Sequence, residues 1–149
     1  MKYSLSTLLK YKGYVRVPLK KTASGHYICS IVLNGVSGNF IVDTGASHTC
    51  VSYEKEVAFK LNVSSTKQQA ATASSTDMET RQSQDNVLKV GAWEGQQFEV
   101  ILFDMTSVNS ALEKLGVTTV DGILGADVLK ETKAVLDYNR SGLYLKIKR

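Results

Sequence analysis

The segment GNFIVDTGASHTCVS, residues 38–52, constrains the fold of this chain more than any other. Its apolar run Phe-Ile-Val leads directly into Asp43, and Thr-Gly-Ala-Ser follows. A carboxylate at a strand end, followed by glycine, can sit in a tight loop whose backbone N–H groups point at it. The hydroxyls of Thr44 and Ser47 are available to brace that loop. Such surroundings hold a carboxylate rigidly, as a general acid or base requires, so Asp43 is a candidate catalytic residue. The triplet alone is a weak signal, because it also occurs in ordinary turns.

The turn signal Asn34-Gly35 predicts a β-hairpin that carries Asp43 at the end of its second strand. AVLDYN and GLYLKIK near the C-terminus predict another hairpin. NVLKVG and QQFEVILFDM predict a third, with its turn at Glu94-Gly95. Together the patterns predict a mostly β fold of about eight strands with two or three short helices.

Three segments carry helical patterns. SYEKEVAFKLNV places Val57, Ala58 and Leu61 at helical spacing, with Ser52 as its N-cap. SALEKLG predicts a short helix that ends at Gly116. DGILGADVLKET is an apolar pair between glycines that leads into a further helical turn. The polar run at residues 64–84 has almost no large apolar side chains, and its composition alone predicts a disordered loop.

Composition limits the function classes. The 149 residues fit one domain, residues 1–149, and the 43% hydrophobic and 21% charged residues are usual for a globular protein. The net charge is +4, but the basic residues are scattered, so no nucleic acid is expected as a partner. The densest basic cluster, at Lys146, Lys148 and Arg149, is interpreted as a solvated end. No stretch approaches the roughly 18 apolar residues of a membrane span, and the N-terminus lacks the apolar core of a signal peptide. We therefore expect no membrane partner and a cytoplasmic location.

The cysteines and histidines do not predict a metal or cofactor site. Cys29 and Cys50 lie beside strand-like runs, which favours free thiols over a disulfide. His26 and His48 show no metal-ligand spacing with the cysteines. His48 is interpreted as a packing or hydrogen-bonding residue, and Trp93 as a packing residue beside a turn.

Two motifs together indicate a family. FIVDTGASHT and, some seventy residues later, DGILGADVL resemble the retropepsin-like aspartic proteases, and the chain looks closest to their single-domain bacterial and cellular members. The resemblance covers roughly residues 14–145. It implies the acid protease fold, a retropepsin-like closed β-barrel. It also implies an aspartic endopeptidase in which two aspartates share a proton and activate a water molecule against a peptide carbonyl.

The resemblance assigns roles to the residues of the first motif. Asp43 would be one half of the catalytic dyad, Thr44 would brace its loop, and Gly45 would let the substrate backbone approach. Ala46 and Ser47 would complete a substrate-binding loop, with Ser47 hydrogen-bonded to the acid. The chain has a single Asp-Thr-Gly, so such an enzyme must be a homodimer with a polypeptide substrate. Asp121 and Asp127 do not open a Thr-Gly loop, and are predicted to cap a turn and the start of a helix.

The polar run also has a second interpretation, as the hairpin flap that covers the substrate in this family. Ala71, Thr72, Ala73 and Ser74 would then bind substrate. Many relatives carry glycines at the flap tip, whereas this chain has Ser74 and Ser75.

A further departure concerns the dimer. Viral members usually have arginine at the position of Ala126, where it helps to join the two chains. Here the C-terminal strand, with Leu143, Leu145 and Ile147, would either add to a sheet shared by two chains or be an ordinary core strand. These departures keep open a second function class, a peptide-binding or dimerisation module of the same fold that cuts nothing.

Overall fold

The computed structural model describes residues 3–72 and 75–148, with side chains for all of these except 65–72 and 75–79. It contains eleven strands within these ranges: β1 Tyr14–Pro18, β2 Lys20–Lys21, β3 Tyr27–Leu33, β4 Val36–Val42, β5 Cys50–Ser52, β6 Val63–Thr72, β7 Ser75–Val90, β8 Trp93–Phe103, β9 Gly122–Leu124, β10 Val135–Asp137 and β11 Gly142–Lys146. The described residues also form three α-helices and one short 3-10 helix: α1 Leu5–Tyr11, α2 Thr106–Lys114, α3 Ala126–Glu131 and the 3-10 helix Tyr53–Lys55.

Six strands close into a barrel. They follow the order β3-β4-β9-β5-β8-β7, and β7 pairs back onto β3 through Val32 opposite Lys89 and Leu33 opposite Leu88. Strand β2 extends the sheet beside β3, and β6 extends it beside β7. A closed barrel leaves no open edge among its own strands. The predicted mostly β, closed-barrel fold is therefore confirmed.

The main hydrophobic core includes the side chains inside the barrel and extends to β1 and β11. Alternate residues of β3, Cys29, Ile31 and Leu33, point inward because side chains alternate across a strand. They pack with Phe40 of β4 and with further residues of every barrel strand. A smaller second cluster lies on the other face of β4 and joins Ile41 to Met105, Leu112 and Val120. Fully burying each large apolar side chain stabilises the fold by about 1.5–3 kcal/mol.

A second sheet, of order β1-β11-β10, lies outside the barrel. Strand β11 is its central strand, because Leu143 pairs with Val17 on one side and with Leu136 on the other. Leu143 and Leu145 are fully buried in the main core. Over residues 142–144 both edges of β11 are already paired within the chain, so the idea that this part of the strand adds to a sheet shared by two chains is wrong. Ile147 lies beyond the end of β11. The alternative of an ordinary core strand is confirmed.

Two predicted hairpins, β3–β4 and β10–β11, are confirmed, but the hairpin between β7 and β8 turns elsewhere. Its turn falls at Gly91-Ala92, and Glu94 and Gly95 lie inside β8. Gly91 has a φ of +56°, which suits a glycine in a tight turn. Gly95 instead accommodates the Trp93 ring, because an added Cβ would lie 2.7 Å from that ring. The prediction that Trp93 packs beside a turn is confirmed.

The helices differ from the predictions at two places, the segment after β5 and the N-terminus. The segment after β5 forms only a 3-10 helix, and Ser52 makes no side-chain cap. Val57 is 88% exposed there, so it does not contribute to a buried apolar face. Helix α1 was not predicted; the hydroxyl of Ser4 accepts a hydrogen bond from the Thr7 N–H (3.1 Å) and caps its start.

The described residues of the polar run lie in β6 and β7, which pair antiparallel with Gln69 opposite Glu79. The interpretation as a disordered loop is therefore wrong, and the hairpin interpretation holds for the described backbone.

Candidate active site

The loop that carries Asp43 is positioned by β9. This strand lies between β4 and β5, parallel to β4 and antiparallel to β5. Residues 43–49 connect β4 to β5 and must therefore cross the end of β9. This is why the two motifs, far apart in the sequence, form one site.

Backbone hydrogen bonds hold Asp43 at that crossing. Its N–H donates to the carbonyl of Leu124 (3.0 Å), which continues the ladder between β4 and β9. Its Oδ1 accepts a hydrogen bond from the Gly45 N–H (2.8 Å), and its carbonyl accepts one from the Ala46 N–H (3.3 Å). The carboxylate is thus held by its own loop, and among the described residues no hydrogen bond is made to its Oδ2.

Neighbouring backbone atoms approach the two glycines of DGILG so closely that a larger residue would not fit at either position. A Cβ on Gly125 would lie 2.5 Å from the His48 carbonyl oxygen and 3.0 Å from that of Ala46. A Cβ on Gly122 would lie 2.2 Å from the Cys50 carbonyl oxygen. The next N–H, of Ala126, donates to the Ala46 carbonyl (2.7 Å). The second motif therefore supports the first directly, backbone against backbone.

Asp127 is a structural acid. The Thr49 N–H donates to its Oδ2 (2.8 Å), and the Thr49 hydroxyl donates to its Oδ1 (2.7 Å). The Val128 N–H also donates to its Oδ1 (2.8 Å), in the first turn of α3. The predicted position of Asp127 at a helix start is confirmed. Thr49, which no sequence pattern distinguishes, is fully buried, and its hydroxyl also accepts a hydrogen bond from the Gly125 N–H (3.1 Å).

Asp121 has a different role from the predicted turn cap. Its Oδ2 accepts the Asn39 N–H (2.9 Å), and its Oδ1 lies 3.4 Å from the Lys55 Nζ. It therefore joins β4 to the segment that enters β9 and to the 3-10 helix.

Ser47 makes no hydrogen bond to Asp43 in the described structure. Its Oγ lies 2.9 Å from the His48 Nδ1, within hydrogen-bonding distance. The expected bond from Ser47 to the acid is therefore absent from this single chain, and His48 is a hydrogen-bonding residue as predicted. Thr44, Gly45, Ser47 and His48 are all exposed, which leaves this side of the loop open.

Cys50 lies just behind the loop, and its thiol donates to the His48 carbonyl (3.2 Å). Burial raises the pKa of this thiol to about 12, and the nearby carboxylates of Asp127 and Asp43 contribute to that rise. Burial alone raises the pKa of Cys29 to about 12. Both cysteines are free, as predicted.

The predicted flap residues are only partly visible. Ala71 and Thr72 lie in the backbone of β6, whereas Ala73 and Ser74 lie outside the described residues. Among the residues whose side chains the structure describes, no three His, Cys, Asp or Glu side chains converge as metal ligands would.

A closed barrel whose Asp-Thr-Gly loop crosses the end of a Gly-Ile-Leu-Gly strand is the architecture of an aspartic protease. Comparison with known families agrees, since a family model described as "Aspartyl protease" matches residues 29–128. The chain therefore belongs to the aspartyl protease family and is of the retropepsin-like type.

Solved structures share the fold at low identity. A retropepsin-like aspartic protease from Rickettsia conorii matches with a TM-score of 0.60 and 18% identity, over 89% of this chain and 90% of that one. The EIAV protease in complex with an inhibitor matches with a TM-score of 0.52 and 16% identity, over 92% and 99%. The retroviral protease-like domain of Ddi1 from Leishmania major matches with a TM-score of 0.53 and 13% identity, over 82% and 93%.

No curated protein sequence gave a significant match. None of the helices in the described ranges has the length and apolar character needed to cross a bilayer.

Proposed function

We propose that this protein is an aspartic endopeptidase that hydrolyses peptide bonds through a dyad of two Asp43 residues, one from each chain of a homodimer. The observation that carries the proposal is the Asp43 carboxylate, held by the Gly45 N–H (2.8 Å) at the end of a barrel strand. Its Oδ2 receives no hydrogen bond from the described residues, so that oxygen is available to water.

The proposed homodimer rests on the number of Asp-Thr-Gly motifs in the chain and on the exposure of the loop that carries Asp43. The chain has one Asp-Thr-Gly, and the proposed reaction needs two carboxylates. Thr44 and Gly45 are exposed in the single chain, although the backbone behind them is tightly packed. A two-fold axis beside this loop would place the same loop of a second chain against it, since the contact surfaces of a two-fold dimer are identical.

In the proposed reaction the two Asp43 side chains share one proton, because two carboxyl groups so close together cannot both be ionised. The charged carboxylate takes a proton from water as the water oxygen bonds to the peptide carbonyl carbon. The protonated carboxyl gives its proton to the carbonyl oxygen. The tetrahedral intermediate, now a gem-diol, then breaks its C–N bond as the amine nitrogen receives a proton from one carboxyl group of the dyad. One hydroxyl of the gem-diol returns its proton to the dyad, which restores the single shared proton and leaves the carboxylic acid product. The net change is the addition of one water molecule across the peptide bond.

The substrate would be an extended polypeptide. Such a chain can hydrogen-bond to a hairpin as an added strand. The paired strands β6 and β7 would receive it. In this proposal Ala46 and Ser47 contact the substrate from the loop, and Ala71, Thr72, Ala73 and Ser74 contact it from the hairpin.

The test is digestion of a diverse peptide mixture from about pH 4 to pH 7, read by mass spectrometry at high protein concentration. Wild type should cleave and Asp43→Asn should not, because an amide can neither take nor share the proton. Asp85→Asn is the matched control, since Asp85 is exposed on β7 and should be dispensable. Cleavage by Asp43→Asn at the wild-type rate would overturn the proposal. A folded wild-type dimer that binds peptides but never cleaves them would instead support the binding-module alternative.

A further inference from the structure

An open cavity of about 560 Å³ lies between the start of β2, the β3–β4 hairpin and the segment before β9. Its polar walls include Lys20, Thr22, Ser30, Asn39 and Thr119. Lys21 and the apolar residues Ile28 and Val120 also line it. The question is whether this cavity lies on the same face of the sheet as the Asp43 carboxylate.

Strand register places the cavity on that face. Lys20 pairs with Ile28, and Ile28 pairs with Ile41, so these three side chains form one row on one side of the sheet. Along β4, alternate residues share a face, so Asn39 and Ile41 lie on the same side. Asp43 follows Ile41 at the same spacing of two. The cavity and Asp43 therefore lie on the same side of β4, separated by Ile41, which is buried in the second hydrophobic cluster together with Val120 of the cavity wall.

The distance fits a substrate side chain a few residues from the scissile bond. Neighbouring strands lie about 4.8 Å apart, so the Cα atoms of Lys20 and Ile41 are separated by roughly 10 Å. Asp43 lies two residues, or about 6.6 Å, further along β4. The Cα atoms of Lys20 and Asp43 are thus about 12 Å apart, which an extended peptide spans in three or four residues.

The charged side chains that line the cavity are all positive. Its lining contains two lysines, several hydroxyls and an amide, and no carboxylate. Lys20 is exposed and forms no ion pair with the described residues. Asp121, which follows Val120 of the cavity wall in the chain, accepts the Asn39 N–H and is paired with Lys55. The Lys20 ammonium is therefore free to pair with a charge brought by a ligand.

We propose that this cavity is a substrate subsite that binds an acidic side chain, Glu or Asp, three or four residues from the bond that is cut. Lys20 would supply the charge, and the hydroxyls of Ser30 and Thr119 would donate hydrogen bonds to the carboxylate. This inference rests on the proposed protease function and adds the substrate class to it.

The test uses a cleavable peptide in which the third and fourth positions on each side of the scissile bond carry Glu, Gln or Lys. Wild type should show kcat/KM about fivefold higher for Glu than for Gln, the size expected of a partly exposed ion pair, and lower still for Lys. Lys20→Glu should reverse the order of Glu and Lys. Lys148→Glu, which makes the same change of net charge at an exposed position beyond the end of β11, should keep the wild-type order. Equal rates for the three peptides with wild type, or an unchanged order with Lys20→Glu, would overturn the proposal.

A binding measurement separates this inference from the protease proposal. Fluorescence anisotropy with the same peptides and the Asp43→Asn protein needs no turnover. Tighter binding of the Glu peptide, reversed by Lys20→Glu, would support the subsite even if the wild type cleaved nothing. Equal binding of Glu and Lys peptides would overturn the subsite, whether or not wild type cleaves them.

Discussion

Thr49 and Asp127 are joined by two hydrogen bonds, from the Thr49 N–H to Oδ2 (2.8 Å) and from the Thr49 hydroxyl to Oδ1 (2.7 Å). The pair connects the far end of the Asp43 loop to the first turn of α3. The Thr49 hydroxyl also accepts the Gly125 N–H (3.1 Å). One buried side chain therefore links the two motifs that define the family.

Replacing Thr49 with valine should destabilise the protein and disturb the loop. Valine keeps the shape but leaves the Gly125 N–H without its partner and removes one donor to Asp127, which costs about 1–3 kcal/mol. Chemical denaturation should show this loss in the free energy of unfolding, whereas the exposed Thr118→Val should change it little. An unchanged midpoint for Thr49→Val would show that the link is not a source of stability.

Gly125→Ala should also be destabilising, for a steric reason. The added Cβ would lie 2.5 Å from the His48 carbonyl oxygen, and overpacking of this kind costs about 1–3 kcal/mol. Gly25→Ala serves as a comparison, because nothing lies within 4 Å of its added Cβ and only its φ of +84° opposes the change. We expect a larger fall in melting temperature for Gly125→Ala than for Gly25→Ala, and the reverse order would contradict the close approach.

Asn34 should contribute to stability through its side chain as well as its turn conformation. Its amide nitrogen donates to the Phe59 carbonyl and to Asn86 Oδ1, and its Oδ1 accepts the Val87 N–H, each at 2.9 Å. Asn34→Gly keeps the φ of +51° accessible but removes all three bonds, so a loss of about 1–3 kcal/mol is expected. Asn62→Gly, at an exposed position outside any strand, is the control for the flexibility of glycine. Similar unfolding free energies for the two variants would contradict this role.

The two thiols should react slowly while the protein is folded. With pKa values raised to about 12, both cysteines are almost fully protonated at pH 8, and the thiolate is the reactive form. Alkylation by iodoacetamide, followed by mass spectrometry, should be about a hundred- to a thousandfold slower than for a free cysteine. Unfolding in guanidinium chloride should restore the ordinary rate.

The same shift predicts a direction for the pH dependence of stability. The unfolded thiols ionise near pH 9 and the folded ones only near pH 12, so the unfolded chain loses protons first. The free energy of unfolding should therefore fall between these values as the pH rises. Rapid labelling of Cys50 in the folded protein would contradict both expectations.

The sequence predicted features that depend on local signals. Asn34-Gly35 located the β3–β4 hairpin, and that hairpin placed Asp43 at a strand end. The two motifs in combination identified the closed barrel, although neither alone could. The turn between β7 and β8 was misplaced because Gly91 and Gly95 look alike in sequence, and only the fold shows that Gly95 lies against the Trp93 ring.

Other features depend on contacts between distant residues and carried no local signal. Thr49 is one hydroxyl among many in the sequence, and its role appears only when α3 brings Asp127 to it. The sequence left two roles open for β11, because alternating apolar residues fit both a core strand and a strand in a sheet shared by two chains. The pairing of both its edges, with β1 and β10, decides the matter.

The central claim is that two Asp43 carboxylates, from two chains, form one catalytic unit. Mixing wild type with Asp43→Asn at constant total protein tests it directly, once the chains have exchanged. Cleavage should fall as the square of the wild-type fraction, to about a quarter of its value in an equal mixture, because each mixed dimer lacks one carboxylate. Asp85→Asn in place of Asp43→Asn should leave the rate unchanged. A fall in simple proportion to the wild-type fraction, to about half, would show that each chain acts alone and would contradict the claim.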